Sequence, residues 1–180
     1  VDTKSKQLKI YLKDIDLNNY QEKYVKVLKS AITKLEKRES IRKEVSALNI
    51  PLGKALGYYT KMNGEFLDTI TVLSSISKDV ELTNDISAYA NFLLSKERAG
   101  IERAVGANTF AKDKFGKGMK EKFNKLISEQ NTYLATFKKV ANPNTLKVLN
   151  ETLKGKPVEE VQKMRNIANG EKTIGGFGID

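Results

Sequence analysis

Residues 81–111 read ELTNDISAYANFLLSKERAGIERAVGANTFA, with apolar side chains at Leu82, Ile86, Tyr89 and Leu93. The same register continues through Lys96, Gly100, Arg103, Ala107 and Phe110. Spacings that alternate four and three mark a helix burying one stripe. Moving outward, helical spacing recurs and strand alternation is almost absent. Toward the N-terminus, Leu8, Leu12 and Ile15 predict a short helix, closed by Leu17-Asn18-Asn19. Tyr20, Tyr24, Val27, Ala31 and Leu35 open a long helix running to Leu48, with Arg38 and Arg42 extending its stripe. Asn49-Ile50-Pro51 is a turn. Leu52, Leu56, Tyr59, Met62, Phe66, Ile70 and Leu73 mark the next helix, and Ser77-Lys78-Asp79 ends it.

Toward the C-terminus, Gly116 and Gly118 loosen a connection, and Met119, Phe123, Leu126, Tyr133, Phe137 and Val140 carry a fourth long helix. Two shorter helices follow near 144–154 and 157–169, the second opening on Pro157, before a glycine-rich tail over 174–180 that reads as flexible. Short links between long helices favour antiparallel neighbours. The expectation is all-α: an elongated, up-and-down bundle of four long helices plus short terminal ones, forming a single sensor domain over residues 1–180.

Composition narrows the function. The chain has 180 residues, no Cys and no His. This excludes thiol nucleophiles, thiolate or imidazole metal sites and Ser-His-Asp catalysis. A metal would need carboxylates alone, so no cofactor or metal is expected, and no catalysis. The excess of 32 Lys and Arg over 22 Asp and Glu points to an anionic partner. No run approaches the roughly 18 apolar residues of a membrane span. No zinc-finger spacing, RNP signature or helix-turn-helix is visible, so nucleic acid is not expected as a partner. Gly175-Gly176-Phe177-Gly178 lacks the Gly-Lys-Ser/Thr of a phosphate loop.

The long central helix carries the informative irregularity. At ~100° per residue, Lys96 and Arg103 lean toward the seam beside Gly100, while Arg98 and Glu102 turn toward solvent. A guanidinium turned inward needs a partner. Either Glu97 or a carboxylate of a neighbouring helix neutralises Arg103, or an anion does, gripped through its planar fork. Gln130, between Leu126 and Tyr133, and Asn63, beside Tyr59, Met62 and Phe66, are polar interruptions elsewhere. They either fix register or complete a hydrogen-bond shell.

Lys96-Glu97-Arg98-Ala99-Gly100-Ile101-Glu102-Arg103-Ala104 resembles the KE-x-A-G-x-E-R-A signature of nitrate- and nitrite-sensing (NIT) domains. Tyr58-Tyr59-Thr60-Lys61-Met62-Asn63, Arg42-Lys43-Glu44-Val45 and Leu126-Ile127-Ser128-Glu129-Gln130 are similar to its flanking motifs, in consistent order over roughly residues 1–170. The resemblance implies a helical bundle sensor of a small anion, nitrate or nitrite, bound through arginines on facing helices. It implies Arg103 as the first ligand-binding residue, with Arg98 in the same signature. It also implies the extracytoplasmic part of a homodimeric bacterial inner-membrane receptor, a chemoreceptor (methyl-accepting chemotaxis protein) or histidine kinase. An earlier family helix with a further arginine has no counterpart here, so the chain reads as a fragment holding part of the site.

The combined expectation is a non-catalytic sensor whose anion binds between helices and contacts Arg103, Lys96, Gly100, Gln130, Asn63 and Arg98. Alternatives from other classes are a bundle reading an organic acid or partner protein, a basic nucleic-acid-binding module, and a structural dimerisation bundle.

Overall fold

The computed structural model describes residues 2–170 and 174–179. Val1, residues 171–173 and Asp180 lie outside it, and with them the ends of the expected domain and the last residue of the tail. The described residues are all-α, as expected, and fall into two compact units, residues 1–76 and 77–180.

In the first unit α1 spans Asp2–Lys13, and a single 3-10 turn over Leu17–Asn19 follows. The Asp16 carboxylate caps that turn by accepting from the Asn18 N–H. The long helix expected from Tyr20 to Leu48 is divided into α2 (Glu22–Glu36) and α3 (Arg38–Ser46). The division has a local cause. The Tyr58 hydroxyl donates to the Lys34 carbonyl at 2.6 Å, and the Lys37 N–H also turns to that oxygen. An inserted side chain at a carbonyl is a recognised way to break the helical ladder. Chain reversal follows at Leu48, in the left-handed region at φ 55°, and α4 spans Leu52–Ile76. Leu28, Ala31 and Leu35 of α2 are buried, as are Ala55, Met62, Leu67 and Thr69 of α4; the two helices pack together.

In the second unit the Asp79 carboxylate caps α5 (Val80–Ala111) by accepting from the Leu82 N–H at 2.8 Å. Capping of this kind satisfies one of the orphan donors of the first turn. A link over 112–118 leads to α6 (Met119–Val140). Ala88 shares a core cluster with Phe137, Ser95 bonds to Gln130, and Gly106 lies beside the Phe123 ring. Those pairings descend on one helix as they rise on the other, so α5 and α6 are antiparallel. Asn142 caps α7 (Pro143–Thr152), with Pro143 in its first turn, and α8 spans Lys156–Asn169.

The glycine-rich tail differs from the expected flexible end, because residues 174–179 clip the α5–α6 link. The Phe115 N–H donates to the Ile174 carbonyl at 2.7 Å, and the Gly176 N–H to the Asp113 carbonyl at 2.8 Å. The Asp113 carboxylate accepts from the Phe177 and Gly178 N–H groups. Phe177 packs edge-on against Phe110 and Phe115. Gly175 is required here, since a Cβ would lie 2.5 Å from the Asp113 carbonyl oxygen.

Candidate functional site

The buried face of α5 is not the one its large apolar residues mark. Buried positions are Ala88, Ala90, Ser95, Glu102, Val105, Gly106 and Thr109. Ala88, Ser95, Glu102 and Thr109 recur every seven residues, and this row faces α6. The expected seam lies one residue, about 100°, further round. Leu82, Tyr89 and Phe92 are exposed, and so are Lys96, Gly100 and Arg103. Two directions are therefore corrected: Arg103 and Lys96 face outward, and Glu102 and Arg98 face inward. The physical reason is the close approach of α5 and α6, which takes small and polar residues that a hydropathy stripe does not register.

The inward charges are paired. Glu102 is clasped by Arg165 of α8, whose Nε and Nη2 each donate to one carboxylate oxygen at 2.6 Å. Gln130 of α6 completes the group. Its Nε2 donates to Glu102 at 2.9 Å, and its Oε1 accepts from Arg165 at 2.9 Å. The Glu102 and Arg165 side chains are only 8% and 15% exposed. Two turns earlier, the Ser95 hydroxyl donates to the Gln130 carbonyl at 3.1 Å. Arg98 donates through Nε to Glu129 and lies over the Tyr133 ring, 5.7 Å from its centroid. Cations over an aromatic face gain from the ring quadrupole.

Of the six sequence candidates, Lys96, Gly100 and Arg103 share the outer face of α5. A Cβ at Gly100 would meet nothing within 4 Å. Arg98 and Gln130 belong to the inner network, and Asn63 is half-buried on α4, in the other unit. Glu102 and Arg165 were missed. The signal for Arg165 was present in the spacing Val158, Val161, Arg165, Ala168, which puts the arginine on the stripe that ends at buried Ala168.

The first unit holds a second arginine cluster. Arg38 donates to the Ser5 hydroxyl at 2.6 Å and to Asp2 at 2.7 Å, and Arg42 reaches both Asp2 oxygens, at 2.7 and 3.0 Å. The Arg42 hydrogen bond is the largest influence holding the Asp2 carboxyl below the usual aspartate range. Burial raises the Tyr58 hydroxyl above its ordinary value. No group of three or more acidic side chains among the described residues could hold a metal ion.

The sequence holds five arginines. Arg38 and Arg42 pair with Asp2, Arg98 with Glu129 and Arg165 with Glu102. Arg103 has neither a hydrogen bond nor an ion pair among the described residues. The described residues are thus all-helical, with an outward Arg103 inside a KE-x-A-G-x-E-R-A helix. The nitrate and nitrite sensing (NIT) family matches residues 1–178, and the chain belongs to it.

Two relatives give that membership a setting. A nitrate regulatory protein of Klebsiella oxytoca is 25% identical over 138 residues, 77% of this chain and 34% of its own length. The solved structure of the NasR transcription antiterminator superposes with a TM-score of 0.78 at 23% identity, over 83% of this chain and 40% of its own. The chain thus spans about a third of the curated relative and two fifths of the solved one.

These matches correct the expected placement as the extracytoplasmic part of an inner-membrane receptor. The relatives are a regulatory protein and a transcription antiterminator, neither named as a membrane receptor. Among the described residues no helix is long and apolar enough to cross a membrane. The signature lies in α5 and carries no information about what that helix is attached to.

Proposed function

We propose that this chain is the sensing portion of a regulatory protein and that it takes a small planar oxyanion, nitrate or nitrite, on the outer face of α5. Arg103 is the principal contact, Lys96 adds positive potential, and Gly100 leaves the backbone open between them. The portion acts by binding, without catalysis. The observation that carries this reading is the contrast among the five arginines. Four are neutralised by carboxylates of the chain itself, and Arg103 is left uncommitted among the described residues. A guanidinium fork matches a planar oxyanion through two parallel hydrogen bonds. Gln130 and Arg98 support the face indirectly, since both are engaged on the opposite side of α5.

A melting-temperature screen against nitrate, nitrite, sulfate, chloride and simple carboxylates tests the proposal. A ligand at ~100 times its dissociation constant stabilises the fold by about 2.7 kcal/mol. Nitrate or nitrite is expected to raise the melting temperature beyond chloride at equal ionic strength. A response to carboxylates alone would reassign the ligand to an organic acid. An equal response to every anion would remove the oxyanion reading.

A further inference from the structure

The latch behind the proposed anion face lies on the other side of the same helical turn. Glu102 and Arg103 are neighbours in sequence, about 100° apart round α5. Glu102 receives three hydrogen bonds, two from Arg165 of α8 and one from Gln130 of α6. Its side chain is almost fully withdrawn from water. A bidentate guanidinium–carboxylate pair tolerates little misalignment. Rotating α5 by a few tens of degrees would separate it and leave a carboxylate and a guanidinium buried without partners. The neighbouring contacts favour the same rotation, with Ser95 bonded to the Gln130 carbonyl and Gly106 against the Phe123 ring. Arg103 therefore points outward because Glu102 is held inward. The same pair holds α8, whose buried Ala168 sits in the apolar cluster with Val105, Phe115, Phe123 and Leu126.

We infer that Glu102 and Arg165 are positioning residues for the anion face: their buried pair fixes the rotation of α5 that presents Arg103, and it couples anion binding to the docking of α8. The inference rests on the reading under Proposed function and adds its regulation. Because anion binding and the latch favour one rotation of α5, each strengthens the other. Coupling between two such events is reciprocal, and factors of about 5 to 150 are usual.

The test combines calorimetric titration with sodium nitrate and hydrogen exchange over residues 156–169, on the whole chain. In the parent, saturating nitrate slows exchange in α8 at least fivefold. Arg165→Met weakens nitrate binding at least fivefold, and Arg165→Lys, which keeps the charge but loses the fork, falls between it and the parent. Lys163→Met, exposed on the same helix, binds nitrate as the parent does. Should Arg165→Met fail to fold, Arg165→Lys and Glu102→Gln carry the affinity arm, and the exchange arm needs no variant. A folded Arg165→Met that loses less than fivefold, or α8 exchange that ignores bound nitrate, overturns the inference and leaves the binding face intact. A parent that binds no nitrate removes the binding face and the inference together.

Discussion

Each unit of this chain holds a carboxylate clasped by arginine, and the two clasps differ in how far water reaches them. In the first unit Asp2 bridges Arg38 and Arg42; the Arg38 side chain is only 12% exposed, but Asp2 is 54% and Arg42 45% exposed, so water reaches the shared carboxylate. In the second, Glu102 and Arg165 are almost sealed off and share Gln130. The chemical pairing is the same, but the consequences are not. Charges in water gain little from meeting, because solvent already stabilises each. Buried charges gain little over an apolar pair of the same shape, yet breaking one partner leaves the other stranded. The outer clasp joins α1 to α3 at modest cost if lost, and the inner one sets the rotation of a helix.

The largest expected effect breaks the inner clasp. Arg165→Met should destabilise the second unit by about 3–5 kcal/mol in urea unfolding, since Glu102 is left buried and unpaired. The paired replacement Glu102→Leu with Arg165→Met should recover most of that loss. A single variant as stable as the parent would mean that water reaches the site.

A smaller effect of opposite sign sharpens the same contrast. Thr109 continues the inner row of α5, is 1% exposed, and its hydroxyl has no hydrogen-bond partner among the described residues. Thr109→Val keeps the shape and removes the unmet polar group, so stability should rise by about 1 kcal/mol. A loss of stability would show that the hydroxyl has a water partner.

The outer clasp gives the smallest effect and a dependence on pH. The folded Asp2 carboxyl lies below its ordinary value, chiefly through the Arg42 hydrogen bond. A depressed carboxylate contributes stability above its unfolded value, near pH 4, and loses it as pH falls through the folded value. NMR titration should place the Asp2 carboxyl below the ordinary aspartate range and return it toward that range in Arg42→Ala. Asp2→Asn should flatten the stability profile below about pH 4. An Asp2 that titrates at its ordinary value in the parent would break the account of this clasp.

The helices were largely legible, because Asn, Pro, Gly and Asp punctuate apolar spacings of three and four. The division at Lys37 was not, since it depends on Tyr58 reaching the Lys34 carbonyl from another helix. The rotation of α5 was misread for a related reason. Leu82, Tyr89 and Leu93 outweigh Ala88 and Ser95 in any hydropathy count, yet the α5–α6 contact selects the smaller side chains. The nine-residue signature singled out α5 and Arg103, but it could not say which of Glu102 and Arg103 faces inward. That choice is made by Arg165, more than sixty residues further along the chain.

The central claim is that Arg103, uncommitted among the described residues, takes an anion as its partner. Calorimetric titration of sodium nitrate into the parent and into Arg103→Ala, at constant ionic strength, tests this most directly. Charge-assisted hydrogen bonds contribute about 1.5–3 kcal/mol, so the variant should bind at least about tenfold more weakly while melting as the parent does without ligand. Equal nitrate affinity in the two proteins would contradict the account.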